Sequence, residues 1–332
     1  MNAQTTDIAG ITMEGTVAMK NESFSCYHFI TIDFTYADFS LGWYILSCVL
    51  TVLFALTASF ANILVLVAIL RTPSLHSPSN TLLFGLALAD LGVGLLVHPL
   101  FLMLILGKIT KNEGVFCEAG IAIEVIANAL CIISLLTVTA VSLDRYLALR
   151  LHLRYKELIT IKRAIVALVI IWIIGAHSGT LWLYKPNLVK WNVIVIIQLC
   201  LMAAIVSYFQ IYRAVTRAIH SELTMKCSVD QNCEAMNMAR FKSHTLSTFL
   251  VYCLIMLCYL PYFCVVVVIT VTGPSVPKRF AYDMTAVGVF INSSLNPLVY
   301  CWRLGDVRNA VRKTAKLMVP AKFRGEETTM AP

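Results

Sequence analysis

Long apolar segments alternate with short polar ones along this chain. A helix that crosses a hydrocarbon core of about 30 Å needs about 20 mostly apolar residues, since each residue adds about 1.5 Å. Polar turn signals separate the segments that reach this length. The pattern predicts an all-α integral membrane protein, a seven-transmembrane helix bundle with spans at residues 42–70, 80–106, 116–149, 164–184, 191–219, 240–271 and 280–302.

Composition agrees with this pattern. Of the 332 residues, 59% are hydrophobic and only 13% are charged, whereas a soluble domain carries roughly a quarter charged residues. The excess apolar surface requires lipid to cover it. We therefore expect a multi-pass protein of the plasma membrane.

The positions of Lys and Arg predict the orientation, because basic residues near membrane ends stay on the cytoplasmic side. With the amino terminus outside, the other 19 basic residues lie on the cytoplasmic side and form a juxtamembrane belt that faces anionic lipid. The net charge of +8 therefore does not call for nucleic acid as a partner. An extracellular amino terminus leaves seven of the 26 basic residues outside: Lys20, Lys108, Lys111, Lys185, Lys190, Lys278 and Arg279.

The spans divide the chain into an extracellular tail (residues 1–40), the bundle (41–303), and an amphipathic helix with a cytoplasmic tail (304–332). The first tail has no apolar signal-peptide core, so the first span is expected to target the chain to the membrane. Its acidic, polar first part is expected to be disordered. Asn21 begins an Asn-Glu-Ser acceptor for N-glycosylation, whereas the match at Asn292 lies inside a span.

Most of the eleven cysteines lie within spans or on the cytosolic side. In a span a cysteine acts as a small buried hydrophobe, and the cytosol keeps thiols reduced. Cys26 and Cys117 are the pair left in the oxidising compartment. We therefore expect a disulfide between the tail and the third span.

Polar residues at one depth form a layer inside the bundle. Asp90, Ser134 and Asn292 each lie 11 residues, or about 16 Å, from the cytoplasmic end of their helix. Asn62 and Asn296 lie within about two turns of that level. An ionisable residue inside a span is costly and is by default a functional candidate. The layer suits a small cation such as sodium, or water, and it is equally compatible with hydrogen bonds that join helices.

Two motifs lie near the inner surface. Asp-Arg-Tyr at 144–146 ends the third span and, by itself, is typical of an interfacial charge pair. Asn-Pro-Leu-Val-Tyr at 296–300 contains a proline, which removes a backbone hydrogen bond and kinks the helix. A kinked helix is compatible with a static shape or a hinge, and the motif alone favours the static shape.

Together these residues resemble the rhodopsin-like G-protein-coupled receptors, over about residues 42–316. The resemblance implies a receptor that binds an extracellular ligand and activates a heterotrimeric G protein when its sixth span moves outward. It rests on one feature in each span, in order and at matching depth: Asn62, Asp90, Asp144-Arg145-Tyr146, Trp172, Tyr208, Pro261 and Asn296-Pro297-x-x-Tyr300.

The resemblance also assigns roles to residues. Arg145 would be freed as the sixth span swings outward, while Tyr208 and Tyr300 turn inward. Residues 304–317 would form a short juxtamembrane amphipathic helix along the inner leaflet. The activation switch would comprise Asp144, Arg145, Tyr146, Tyr208, Pro261, Pro297 and Tyr300, and an allosteric sodium site Asp90, Ser134, Asn292 and Asn296.

Departures from the family pattern narrow the range of expected ligand classes. The seventh span has no lysine at residues 286–290, so retinal is not expected as a cofactor. Ala127 stands where amine receptors carry an aspartate, which disfavours a biogenic amine. The fifth span has no proline, and the second outer loop, about 184–191, is short and has no cysteine. These absences resemble the melanocortin, cannabinoid, lysophospholipid and adenosine branch and leave a peptide, a lipid and a nucleoside-like ligand open.

Two switch positions are altered as well. Tyr259 replaces the usual tryptophan of the sixth span, and Arg240-Phe241-Lys242 lacks the acid that often pairs with the third-span arginine. We therefore expect a loose inactive state with basal signalling.

The expected ligand pocket comprises Glu124, Ala127, Asn128, Tyr259, Tyr262 and Phe290. Glu124 and Asn128 lie one turn apart on the outer half of the third span and could meet a cationic or hydrogen-bonding group. For Glu124 an equal alternative is a carboxylate that extends to water at the outer surface. The aromatic residues are equally compatible with helix packing.

No arrangement in the sequence indicates catalysis or zinc, since His98 and His177 are isolated and no nucleophile site is present. The chain is therefore not expected to be an enzyme. The main alternative is a transporter in which Asp90 carries a coupling ion. Transporters commonly show repeated halves and helices broken at matching positions, which seven spans with one strong proline break do not. An intramembrane hydrolase would need a metal-binding cluster.

Overall fold

The computed structural model describes residues 23–27, 30–33, 40–151, 154–224, 257–303 and 305–318. Asn21, the Arg240-Phe241-Lys242 sequence and the inner half of the sixth span lie outside these residues. The helices at the seven expected spans confirm the helical bundle. The long elements are α1 (Leu41–Arg71), α2 (Pro78–Ile109), α3 (Glu113–Leu151), α4 (Ile161–Tyr184), α5 (Pro186–Thr224), α6 (Leu257–Thr272), α7 (Val276–Arg303) and α8 (Gly305–Met318).

Five described helices, α1 to α5, are apolar and long enough to cross a membrane. The described part of α6 is apolar but shorter. Helix α7 begins one turn earlier than expected, at Val276 instead of residue 280, and so includes Lys278 and Arg279. Both were expected outside the span, and the pairing of Arg279 with Asp283 inside the bundle is described below.

Helix α1 has one face that is buried in the bundle and another that is exposed to lipid. Ala58, Asn62, Val65 and Ile69 recur at the spacing of one helical face and are buried. Trp43 on the outer turns is 60% exposed, as expected of a side chain that faces lipid. The buried face packs against α2 and α7, and α8 lies against the inner end of α1.

Helix α2 contains a wide π-helical turn at Val93–Val97. The cause is Pro99, which has no backbone N–H and whose ring blocks the carbonyl of the preceding turn. A wide turn absorbs this defect without ending the helix. Asp90 lies below the turn and Lys108 above it, so the two ends of α2 serve different sites.

Helices α3 and α4 cross closely because Gly175 and Gly179 form a Gly-x-x-x-Gly pair on α4. A Cβ atom added at Gly179 would lie 2.7 Å from the carbonyl oxygen of Val125 and 2.9 Å from the Cβ of Ala129. Both contacts are shorter than van der Waals separation, and the nearest one is to backbone, which cannot rotate away.

We expect Gly179→Ala to lower the free energy of unfolding by about 1 to 3 kcal/mol, the usual cost of overpacking. Thermal unfolding of the full chain in lipid nanodiscs measures the change. Gly288→Ala on α7 is the matched control, because an added Cβ there has its nearest neighbour at 3.7 Å. Equal melting temperatures for the two variants would contradict the close crossing of α3 and α4.

The outer connections differ from the expected ones. Helix α4 ends at Tyr184 and α5 begins at Pro186, so Lys185 alone joins them. The expected loop of residues 184–191 is therefore mostly helix. Pro186 favours this arrangement, because a proline at the first helical position has a suitable φ and loses no needed hydrogen bond.

The tail contains a hairpin that the sequence pattern does not predict. Strands β1 (Ser23–Tyr27) and β2 (Ile30–Asp33) pair in antiparallel register, with Phe24 opposite Ile32. Cys26 is joined to Cys117 on α3 by a disulfide, with Cα atoms 5.6 Å apart. Ile30 is fully buried against α3 at Gly120. The hairpin is thereby fixed to the outer end of the bundle.

The final helix, α8, is amphipathic. Val307, Ala310 and Thr314 are buried along one face and pack it against the bundle. Arg312 and Lys316 are exposed on the other side. This division matches the expectation of a helix that lies along the membrane surface at residues 304–317.

Candidate ligand pocket and signalling core

A cavity opens between α2, α3, α4, α5, α6 and α7 in the outer half of the bundle. It encloses about 1170 Å³, including its opening to solvent. All six residues expected to form the ligand pocket line it: Glu124, Ala127, Asn128, Tyr259, Tyr262 and Phe290. The structure therefore brings these residues together around one space.

Buried charges at the cavity wall form a network that the sequence analysis missed. Lys108 on α2 forms an ion pair with Asp283 on α7, and each side chain is only 2% exposed. Arg279, one turn before Asp283, lies with its Nε 3.4 Å from an Asp283 oxygen. The Nη1 of Arg279 lies 3.2 Å from a carboxylate oxygen of Glu124 on α3. Three helices are thus joined by charge.

This pairing argues against one interpretation of Glu124, a carboxylate that extends to water at the outer surface. The residue is 7% exposed and does not extend to water at the surface. Its carboxylate accepts a hydrogen bond from the Tyr282 hydroxyl at 3.0 Å and pairs with Arg279. The Tyr262 hydroxyl donates to that of Tyr282 at 3.1 Å. A hydrogen-bonded chain therefore runs from α6 through α7 to α3.

The other pocket residues are held by neighbouring helices. The Asn128 amide donates to the Ser178 carbonyl oxygen on α4 at 3.0 Å. Tyr259 and Phe290 are buried in the core. The Phe290 ring contacts Phe101 edge to face, with centroids 5.6 Å apart. For Phe290, packing and pocket lining are therefore both observed.

Deeper in the bundle, the expected polar layer is assembled around Asp90, which is fully buried. The Ser134 hydroxyl donates to one carboxylate oxygen at 3.0 Å, and the Asn296 amide donates to the other at 2.8 Å. Ser293, which the sequence did not single out, lies close to Asp90. The Asn62 amide bonds the Ser293 carbonyl oxygen at 3.1 Å. The layer therefore joins α1, α2, α3 and α7.

The layer also contains acceptors that these bonds do not satisfy. The side-chain oxygens of Asn62, Asn292 and Asn296 are buried and have no hydrogen-bond partner among the described residues. An unsatisfied buried oxygen is costly, so such groups usually meet water or an ion. A carboxylate beside amide and hydroxyl oxygens is a donor set that suits a hard cation. The residues present therefore fit a sodium ion.

At the inner end of the bundle, the partners of Asp144 are Ser79 and Tyr155 and not the neighbouring Arg145. Its carboxylate accepts hydrogen bonds from the Ser79 hydroxyl and, at 2.7 Å, from the Tyr155 hydroxyl. The described residues show no Asp144–Arg145 ion pair. Burial raises the pKa of Tyr155 to about 12, so its hydroxyl keeps the proton that it donates. The acid thus anchors the inner ends of α2 and α3 to the short helix at Tyr155–Leu158.

The remaining switch residues lie on the expected helices. Tyr146 accepts a hydrogen bond from Arg150 at 3.3 Å. Pro261 lies on α6 and Pro297 inside α7. The backbone at Tyr208 and Tyr300 is helical, but their side chains lie outside the described part of the chain, as does Arg240.

The described residues contain no group of three or more His, Cys, Asp or Glu side chains that could hold a metal. His98 is buried against Phe290, with ring centroids 6.1 Å apart, and His177 lies on α4.

The described helices form a bundle with an outer cavity and a polar layer beneath it. The family model described as 7 transmembrane receptor (rhodopsin family) matches residues 61–190. The chain is 29% identical to the Histamine H2 receptor of Canis lupus familiaris over 311 residues, which cover 86% of this chain and 82% of that receptor. It is 33% identical to the 5-hydroxytryptamine receptor 1B of Homo sapiens over 143 residues, or 42% and 36% of the two chains.

The matched family model and the similarity to receptors over most of the chain support a G-protein-coupled receptor of the rhodopsin family that binds an extracellular ligand. The alternative of an ion-coupled transporter is not supported, because the relatives that match most of the chain are receptors. Neither relative described above is named for the melanocortin, cannabinoid, lysophospholipid or adenosine branch, so that assignment stays a prediction.

Proposed function

We propose that the outer cavity is the ligand site and that the inner end of the bundle, around Arg145, engages a heterotrimeric G protein. In this arrangement the amino terminus is extracellular and the hairpin lies beside the entrance. The observation that supports the proposal most strongly is that the polar chain Tyr262–Tyr282–Glu124 borders the cavity and joins α6, α7 and α3. A ligand that disturbs this chain changes how α6 is held.

The inner half of the bundle is proposed to transmit the signal to the G protein. Asp144 is engaged by Ser79 and Tyr155, which leaves Arg145 without its neighbouring acid as an ion-pair partner within the described residues. The sixth-span sequence Arg240-Phe241-Lys242 offers no acid either. Both observations favour a loosely held inactive state and basal signalling.

The polar layer is proposed as an allosteric sodium site. Asp90, Ser134, Asn292 and Asn296 would hold the ion, and Ser293 lies beside them. A bound sodium ion would supply positive charge to a buried carboxylate. The residues themselves join α2, α3 and α7 through the hydrogen bonds to Asp90, and so hold these helices at one separation.

The names of the two relatives, histamine and 5-hydroxytryptamine receptors, make an amine the competing ligand class. Ala127 offers no carboxylate to an amine, and Glu124 already binds Arg279 and Tyr282. We therefore keep a peptide, a lipid or a nucleoside-like ligand as the proposal. The same absences favour the melanocortin, cannabinoid, lysophospholipid and adenosine branch.

Guanine-nucleotide exchange on a panel of purified G proteins tests the proposed function. We expect the full chain in nanodiscs to accelerate exchange without added ligand. Arg145→Ala should lower this basal rate about tenfold or more, the equivalent of one lost charge-assisted hydrogen bond. Arg71→Ala, an exposed arginine at the end of α1, is the control and should leave the rate unchanged. A well-expressed Arg145→Ala protein with the unaltered rate would refute the role of Arg145.

A further inference from the structure

We infer that the outer cavity binds an uncharged lipid alcohol, a mainly apolar molecule whose hydroxyl group donates a hydrogen bond to the cavity wall. The inference rests on the proposed ligand site and adds the class of ligand. It is carried by two hydrogen-bond acceptors at the wall, by the internal pairing of the charged residues there, and by the apolar character of the remaining wall.

The first acceptor is the side-chain oxygen of Asn128. The Asn128 amide nitrogen donates to the Ser178 carbonyl oxygen at 3.0 Å and lies 3.3 Å from the Ser178 hydroxyl oxygen. A carbonyl oxygen only accepts, so this bond fixes which end of the Asn128 side chain is nitrogen. The Oδ1 atom at the other end has no hydrogen-bond partner among the described residues. Since Asn128 lines the cavity, its oxygen is available to a ligand that donates.

The second acceptor is the Tyr262 hydroxyl oxygen. The Glu124 carboxylate, which is paired with Arg279, only accepts, so the Tyr282 hydroxyl must give it the proton of their hydrogen bond. The Tyr282 oxygen then accepts from Tyr262, whose proton is thereby used. The Tyr262 oxygen keeps its capacity to accept, and Tyr262 lines the same cavity.

Two acceptors at the wall select a ligand group that donates. A hydroxyl is the simplest uncharged group of this kind. An amide would add a carbonyl oxygen that needs a donor, whereas the donors of Asn128, Tyr262 and Tyr282 already serve Ser178, Tyr282 and Glu124. The arrangement therefore favours an alcohol.

The charged residues at the outer end of the cavity are paired within the protein. Lys108 pairs with Asp283, and Arg279 lies within ion-pair distance of Glu124 and Asp283. Lys190 also interacts electrostatically with Glu124. A ligand anion would compete with the buried carboxylates for these cations, and a ligand cation would compete for the carboxylates. Separating a buried ion pair is strongly unfavourable, so the cavity favours an uncharged ligand.

The remaining wall is mainly apolar. Such a wall stabilises an alkyl chain or a fused ring system by removing its surface from water. A peptide backbone or a sugar carries several polar groups, which apolar side chains cannot satisfy. The apolar wall therefore favours a lipid over a peptide or a nucleoside-like ligand. Its side chains include Ile132, Leu135, Val193, Ile197, Val266 and Val289.

Four probes with the same alkyl chain and different headgroups test the inference: decanol, decyl methyl ether, decanoate and decylamine. Their dissociation constants are measured from the shift in thermal unfolding of the purified full chain in nanodiscs, and empty nanodiscs correct for partitioning into lipid. We expect decanol to bind most tightly. The ether accepts but cannot donate, so it should bind about three- to tenfold more weakly, as for the loss of one hydrogen bond.

Two variants test the acceptors. In Asn128→Leu and in Tyr262→Phe, decanol binding should weaken about three- to tenfold while ether binding stays the same. A general effect on packing would weaken both probes alike. Asn187→Leu and Tyr184→Phe, at exposed positions near the junction of α4 and α5, are the matched controls and should keep the preference for decanol.

The outcomes separate this inference from the proposed function. A loss of the preference for decanol in either variant supports the inference and identifies the acceptor, and an unchanged preference in both would overturn it. Equal binding of decanol and the ether would overturn the need for a donor, and tighter binding of decanoate or decylamine would overturn the uncharged ligand. If none of the probes binds to a protein whose basal nucleotide exchange is still sensitive to Arg145→Ala, the inference fails and the proposed receptor function stands.

Discussion

Replacing Asp283 by asparagine is expected to lower the free energy of unfolding by about 3 to 5 kcal/mol, the cost of removing one partner from a buried ion pair. Lys108 would keep its charge in a site where its side chain is 2% exposed. Among the described residues, Lys108 also contacts the rings of Tyr44 and Phe116, with the Lys108 Nζ 5.3 Å and 5.9 Å from their centroids. Ring contacts of this kind contribute less than a carboxylate does. Thermal unfolding in nanodiscs measures the loss.

A double variant distinguishes this charge effect from a general loss of packing. Lys108→Met combined with Asp283→Asn removes both charges, so it should be more stable than Asp283→Asn alone. The difference is the coupling free energy of the pair. Glu118→Gln, an exposed acid on the outer part of α3, serves as the control and should change little. If Asp283→Asn melts at the temperature of the unaltered protein, the ion pair does not hold α2 to α7.

Asp90→Asn is expected to abolish the effect of sodium on the receptor. For the unaltered chain, exchanging potassium for sodium at constant ionic strength should stabilise the fold, by about 1.4 kcal/mol at a sodium concentration tenfold above the dissociation constant. The Asn variant keeps the size of the side chain but removes the charge that attracts the ion. Melting temperatures in the two salts, and basal nucleotide exchange in each, give the measurement.

The control for this experiment is Asp306→Asn, since Asp306 is exposed on α8. It should leave the difference between the salts unchanged. A salt difference that survives in Asp90→Asn would show that sodium acts elsewhere. The polar layer would then serve only as interhelical hydrogen bonding.

The two predictions probe separate levels of one bundle. The ion pairs at the outer level join α2, α3 and α7 around the cavity, and the hydrogen bonds at the Asp90 level join the same helices again. A ligand that draws Arg279 away from Glu124 acts on the upper level. If the ligand also changes the polar layer around Asp90, it should alter the effect of sodium on the melting temperature. This follows because binding at coupled sites is reciprocal.

Much of the fold could be predicted from the order of residues along the chain. The spans followed from apolar length, because lipid leaves a helix no other way to satisfy its backbone. The polar layer followed from counting residues inward, since a helix rises by a fixed distance per residue. Asp90, Ser134 and Asn296 are in fact in contact. The pocket residues also lie around one cavity, because helices in an ordered bundle present matching depths to one another.

The sequence pattern gave wrong predictions for charged residues whose burial depends on a partner of opposite charge. Lys108 and Arg279 were expected at the outer surface, because an isolated charge is too costly to bury. A hint was available in the i, i+4 spacing of Arg279 and Asp283, which places an opposite pair on one helical face. Nothing in the order of residues shows that Lys108 and Glu124 lie across from that face.

The sequence by itself therefore determined the seven helical spans, the depth of the polar layer and the residues available at the cavity, because each of these depends on distance along a single helix. The tertiary structure alone decided which charges pair, that Tyr155 and Ser79 bind Asp144, that Lys185 is the whole connection between α4 and α5, and that the tail forms a hairpin. These features depend on contacts between helices distant in the chain. The residues that stabilise them are distant in the chain, so the local sequence pattern does not show them.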